Sequence, residues 1–208
     1  FFHHAVVLLV DDDDEGSFGF VVNKQSPIDF DDVAEELELK LPTGTEGIVP
    51  VLHGGPVSPD TGWIVFDPRG AKRLPDDVIL LSDELAISAS LSMLQDIASG
   101  RAPSRAMLSL GYSGWSPGQL EEEMSDGSWI PIDLDTEILF DLPRIPLGPR
   151  RPCPRLRPRH AHRLRRPSLT PALPVDGARH PAKPPAVTLL HGTKAHLRAS
   201  RSGSRIDG

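Results

Sequence analysis

All seven Phe, all three Trp and the single Tyr of this 208-residue chain lie before Arg144. Aromatic side chains carry the largest apolar area per residue. The sequence therefore predicts that a packed core forms from residues 1–143. From Arg144 to Gly208, Pro, Arg, Ala and His dominate. Such a stretch buries too little apolar surface to offset chain entropy and is expected to be a disordered tail. Charge makes the same division. Of the 22 bases only Lys24, Lys40, Arg69, Lys72, Arg73, Arg101 and Arg105 precede Arg144, whereas of the 29 acids only Asp176 and Asp207 follow it. The overall net charge of −7 thus hides an acidic domain, 1–143, and a Pro/Arg-rich basic tail, 144–208. Two origins fit the tail: a natural basic extension, or a GC-rich coding sequence read in a shifted frame.

Several classes are disfavoured. The only Cys, Cys153, gives no internal disulfide framework and no sign of export. No apolar run approaches the roughly 18 residues of a membrane span. Ala5–Val10 is too short for one, and Phe1–His4 does not resemble a signal peptide. The expected location is the cytoplasm, with Phe1 read as a fragment edge. Asp11, Asp13, Glu15 and Gly16 begin like a calcium loop, but the twelfth position is Val22 instead of Glu. Cys153, His160 and His162 match no zinc spacing. Neither a metal nor a cofactor is expected.

Apolar patterning gives the elements in order. Ala5–Val10 reads as a strand buried on both faces, and Ser17–Asn23 as its hairpin partner. Asp29 caps a helix whose stripe is Phe30, Val33, Ala34 and Leu37. Strands follow at Val49–Leu52, Trp63–Phe66 (after a turn at Asp60-Thr61-Gly62), Val78–Leu81 and Leu85–Ile87. Ser90 caps a helix with Leu91, Leu94, Ile97 and Ala98 inward, closed by Gly100. Met107–Leu110 is a buried strand broken at Gly111. A loop leads to a helix starting at Ser116, with Pro117 at its first position and Gln119 bonding back to the cap. Ile130-Pro131-Ile132 and a helical turn from Asp135 to Phe140 complete the domain.

His53-Gly54-Gly55 and Gly111-Tyr112-Ser113-Gly114 together look like an esterase: an oxyanion loop and a nucleophile elbow. The elbow needs Gly-x-Ser-x-Gly, and here Trp115 occupies the last position. Every later His lies in the tail, so no triad follows. The glycines serve better as tight turns and close backbone approaches at strand ends. Gly16-x-x-Gly19 lacks the ending of a phosphate loop.

Four motifs in order carry a resemblance. They are Glu15-Gly16-Ser17-Phe18-Gly19-Phe20-Val21-Val22-Asn23-Lys24; Gly54-Gly55-Pro56-Val57; Asp60-Thr61-Gly62-Trp63; and Leu110-Gly111-Tyr112-Ser113-Gly114-Trp115 with Gly118-Gln119-Leu120-Glu121. Residues 1–143 resemble the YqgE/AlgH family of bacterial proteins. The resemblance implies a cytosolic α+β domain with a curled, barrel-like mixed or antiparallel sheet flanked by helices. Members often carry the label of transcriptional regulator, and the family supplies no catalytic residue to carry over. This chain departs from it in lacking a first strand before Phe1, in Gln25 where Pro is usual, and in everything after Pro143.

The candidate interaction surface is Asn23, Lys24, Gly54, Gly55, Tyr112, Trp115, Gln119 and Glu121. The expected function is non-enzymatic regulation through a protein or small-ligand partner. The alternative is an enzyme whose pocket lies at the glycine-lined strand ends. The acid excess predicts that the domain does not bind nucleic acid specifically, and no membrane partner is expected.

Overall fold

A computed structural model describes residues 1–42, 49–69, 71, 74–101, 103–146 and 188–192. The first apolar run becomes β1 (Val6–Asp13), paired antiparallel with β2 (Gly16–Val21), Val7 opposite Val21. Leu8 and Val10 join one core with Phe20, while Val7 and Leu9 join another with Val21. Both faces of β1 are covered, which is why its apolar residues are consecutive and do not alternate.

After β3 (Lys24–Gln25), α1 (Phe30–Glu36) begins at Asp29. The Asp29 carboxylate accepts from Asp32 N at 3.1 Å and the Asp32 carboxylate accepts from Asp29 N at 2.9 Å. Such a reciprocal cap stabilises a short helix by about 1 kcal/mol. Next come β4 (Val51–His53), β5 (Val57–Phe66), β6 (Ile79–Ser82) and β7 (Leu85–Ser88). The helix α2 (Leu91–Ala98) is capped by Ser90, whose hydroxyl accepts from Ser92 N at 3.2 Å. The chain continues through β8 (Ala106–Trp115), α3 (Gln119–Ser125), β9 (Trp129–Asp133), α4 (Thr136–Asp141) and β10 (Ile145–Pro146) to β11 (Thr188–Gly192).

The strands make one curled, mixed sheet in the order β10-β3-β4-β8-β2-β1-β11-β9, with β5 on β8, β7 on β5 and β6 on β7. Pairings are antiparallel except β4 with β8 and β10 with β3. Helices α1 and α2 cover a core containing Phe30, Ala34, Leu94, Ile97, Phe66 and Leu108. From α4, Leu139 and Phe140 pack on Leu8, Val10 and Phe20. From α3, Leu120 packs on Val7 and Trp115. The α+β class and the curled sheet are as the family resemblance implies.

Three local expectations are corrected. Gly111 does not end a strand: β8 runs through it with φ of 70° and changes neighbours there. Leu108–Leu110 lie beside β4 and β5, while Ser113–Trp115 pair with β2. A side chain at Gly111 would be strained by that φ, and its Cβ would lie 2.7 Å from Gly55 O. Asp60-Thr61-Gly62 is likewise not a turn between strands but an irregularity inside β5, between Val57 and Gly62. The third helix does not start at Ser116. Gly118, with φ of 74°, is its N-cap and makes no side-chain cap. Gln119 Oε1 does accept from Ser116 N at 3.1 Å, so the local bond forms while the helix begins later.

Two short pieces of chain after Pro143 also join the fold. Ile145 pairs with Lys24, the Arg144 guanidinium donates to Phe140 O at 3.1 Å, and Thr188–Gly192 is an internal strand between β1 and β9. Leu189 and Leu190 are buried on opposite faces of the sheet, and this burial orders a segment whose composition alone gives no such signal. The remainder of 147–208 lies outside the described residues.

Candidate functional site

The glycine-lined strand ends pack directly on β8. Gly54 N donates to Leu110 O at 2.9 Å, and Gly54 O accepts from Val21 N at 2.8 Å and from the Ser113 hydroxyl at 3.2 Å. A Cβ at Gly55 would run into the Tyr112 carbonyl, and one at Gly54 would meet Ser109 Oγ. The Gly54 N–H is thus already bonded to Leu110 O and is not free to hold an oxyanion. Ser113 is fully buried, with its hydroxyl directed at a carbonyl and away from solvent.

Beside this crossing, Asn23 and Lys24 tie the N-terminal residues down. Asn23 Oδ1 accepts from Val6 N at 2.8 Å and its Nδ2 donates to His4 O at 2.8 Å. The Lys24 ammonium donates to Phe1 O and sits 5.0 Å from the centre of the Phe1 ring. Burial pushes its pKa below the usual lysine value. The Phe1 ring also lies 4.9 Å from the His53 imidazole. Burial, and the Lys24 charge after it, lowers the His53 pKa and favours the neutral ring. Its Nδ1 is buried without a hydrogen-bond partner among the described residues.

Trp115, Gln119 and Glu123 form a second group, at the junction of β8 and α3. Glu123 Oε2 accepts from the indole N–H of Trp115 at 3.1 Å and of Trp129 at 2.8 Å. Gln119 Nε2 donates to Glu123 Oε1 at 2.9 Å. Phe2 stacks at 6.1 Å on Trp115 and meets Trp129 edge-on at 5.4 Å. One carboxylate thus holds two indoles and one amide, fastening α3 to the sheet. Phe2 and Glu123 were not among the sequence-predicted site residues. The available signal was the Gln119/Glu123 spacing of four, which puts both on one helix face.

Tyr112 belongs elsewhere. It lies three positions before Trp115 on the strand and faces the other side. Its ring is 5.0 Å from Phe18, which in turn is 5.6 Å from Trp63. The three rings are half-buried, and Trp63 Nε1 has no hydrogen-bond partner among the described residues. Glu121 is exposed on the outer side of α3, around a shallow acidic depression with Glu122, Ser125 and Asp126. The eight predicted residues therefore divide among four places. Asn23 and Lys24 hold the N-terminal residues, Gly54 and Gly55 meet the Tyr112 backbone at the crossing, Trp115 and Gln119 share Glu123, and Glu121 stands apart.

One polar network escaped the sequence reading. The Arg69 guanidinium donates to both oxygens of buried Asp67 (2.7–3.2 Å) and to Glu84 at 2.5 Å. Glu84 accepts from the Thr136 hydroxyl at 2.5 Å, linking α4 to the turn between β6 and β7. The Arg69 hydrogen bonds hold the Asp67 carboxyl below the usual carboxylate range. Among the described residues no three His, Cys, Asp or Glu side chains gather as a metal site, and no helix is long and apolar enough to cross a membrane. Cys153, His160 and His162 lie outside the described residues.

A family model described as AlgH-like matches residues 1–147. A UPF0301 protein of Ruegeria pomeroyi is 37% identical over 139 residues, spanning 67% of this chain and 74% of that protein. A UPF0301 protein of Anaeromyxobacter dehalogenans is 38% identical over 133 residues, 62% of this chain and 67% of its own. The solution structure of the AlgH protein from Pseudomonas aeruginosa is similar with a TM-score of 0.58 and 38% identity, covering 67% of this chain and 72% of that one.

Proposed function

The chain belongs to the AlgH-like family, and from that premise we propose that it is a non-enzymatic cytosolic regulator acting through a protein or small-ligand partner. The observation that carries the non-enzymatic part is the closed Gly54–Gly55 crossing. The one serine in an elbow-like sequence, Ser113, is buried and directed at Gly54 O, and β8 backbone occupies the adjoining space. A nucleophile must reach its substrate, and this one faces a carbonyl inside the fold.

The regulatory part is a partner reading because the helices are acidic. Asp31, Asp32, Glu35 and Glu36 lie on α1, and Glu121, Glu122 and Glu123 on α3. Gripping a duplex requires several cations against phosphates, and neither helix supplies one. The enzyme reading draws on a single observation, the unpartnered Nδ1 of His53 next to Lys24. The filled crossing weighs against it.

The purified chain, incubated with small activated esters, is expected to show no turnover above background. Turnover that disappears in Ser113→Ala would overturn the non-enzymatic reading.

A further inference from the structure

The family match ends at residue 147, yet the sheet contains a strand from beyond it, with residues 147–187 in between. That strand, β11, sits inside the sheet and not at its rim. Val7 faces Leu190 and Leu8 faces Leu189 on one side, and Pro131 faces Leu190 and Ile132 faces Leu189 on the other, antiparallel to both neighbours. The slot has three chemical requirements. Leu189 fills the core of Leu8, Val10, Phe20 and Phe140, and Leu190 fills the opposite core of Val7, Leu9, Trp115 and Trp129. Gly192 must stay without a side chain, since a Cβ there would lie 2.6 Å from Phe2 O and 3.2 Å from the Trp129 ring. Gly192 N then reaches Ala5 O at 2.9 Å.

We propose that the channel between β1 and β9 is a strand-accepting peptide site, and that Thr188–Gly192 is its tethered, displaceable occupant. Its ligand class is an extended segment with two adjacent apolar residues followed, two positions on, by glycine. Backbone ladders on both sides supply affinity, and the two apolar pockets and the glycine contact supply selection. The tether keeps the chain's own strand at high effective concentration, so an external segment binds when that strand leaves. This inference stands apart from the regulatory reading, because it rests on the slot alone.

The test uses the full chain. Leu189→Asp/Leu190→Asp should expel the tethered strand. A labelled peptide of residues 186–194 should then bind the double variant at least tenfold more tightly than it binds the unaltered chain, and should raise the variant's melting temperature. A peptide carrying Gly192→Leu should do neither. Equal peptide affinity for variant and unaltered chain would overturn the proposal. A second measurement needs no variant. In the unaltered chain, hydrogen exchange at Leu189–Gly192 should be at least tenfold faster than at the β1–β2 ladder residues Leu8 and Phe20. Equal protection in the two places would show a permanent strand and overturn the proposal.

Discussion

Two aromatic groups lie on opposite faces of β8 and treat their indoles differently. On one face Trp115 and Trp129 both donate to Glu123, and Gln119 holds the other oxygen of that carboxylate. On the other, Trp63 packs by Phe18 and Phe20, with its N–H buried and without a partner among the described residues. A satisfied buried donor contributes modestly, whereas an unmet one costs its desolvation. The first group is therefore a clamp in which each member depends on one acid. The second is held by apolar contact, so its N–H can be removed without breaking a bond. An aromatic residue named from sequence as a surface contact can thus be a structural member, as Trp115 is.

The largest expected effect removes both groups together. β8 carries Tyr112 on one face and Trp115 on the other, and its path is set by the contact with Gly55. Gly55→Ala should destabilise the protein by about 3 kcal/mol, because backbone on both sides of the contact must move. Chemical denaturation measures this, and a near-neutral variant would show that the crossing is not tight.

Glu123→Leu comes next. It leaves the N–H groups of Trp115 and Trp129 without their acceptor and should cost about 2 kcal/mol. Glu123→Gln, which keeps an acceptor oxygen, should recover part of that. Equal losses for the two variants would break the comparison, since the acceptor would then not be what matters.

The smallest effect is Trp63→Phe. Lost ring volume opposes the gain from removing an unmet donor, so the change should stay within about 1 kcal/mol in either direction. A loss as large as that of Glu123→Leu would mean that the Trp63 N–H is engaged in solution.

Local signals were legible where neighbouring residues alone settle the outcome. Asp29 and Ser90 cap α1 and α2 as the sequence predicts, because a cap involves residues only two or three apart. The doubly buried run in β1 was equally plain. Gly111 was read as a break because a glycine inside a strand and one at its end look alike until the neighbouring strands are known. Ser116 had the local pattern of a cap and even the Gln119 bond, but left-handed Gly118 caps the helix two residues later. The strand at Thr188–Gly192 had no local signature, because its order comes from a slot built by β1 and β9, distant in sequence. Tyr112 and Trp115 separated because one strand presents alternate residues to opposite faces. The resemblance had grouped them by motif, and motif membership carries no information about face.

Regulation through a partner, as proposed, requires that the chain not read DNA sequence directly. The most direct measurement is selection of bound duplexes from a random-sequence pool by the full chain, repeated across a salt series. Weak retention through the Arg-rich segment after Pro143 is expected, falling steeply with salt and enriching no sequence. A duplex sequence enriched reproducibly at moderate salt, and bound tightly when tested singly, would contradict it.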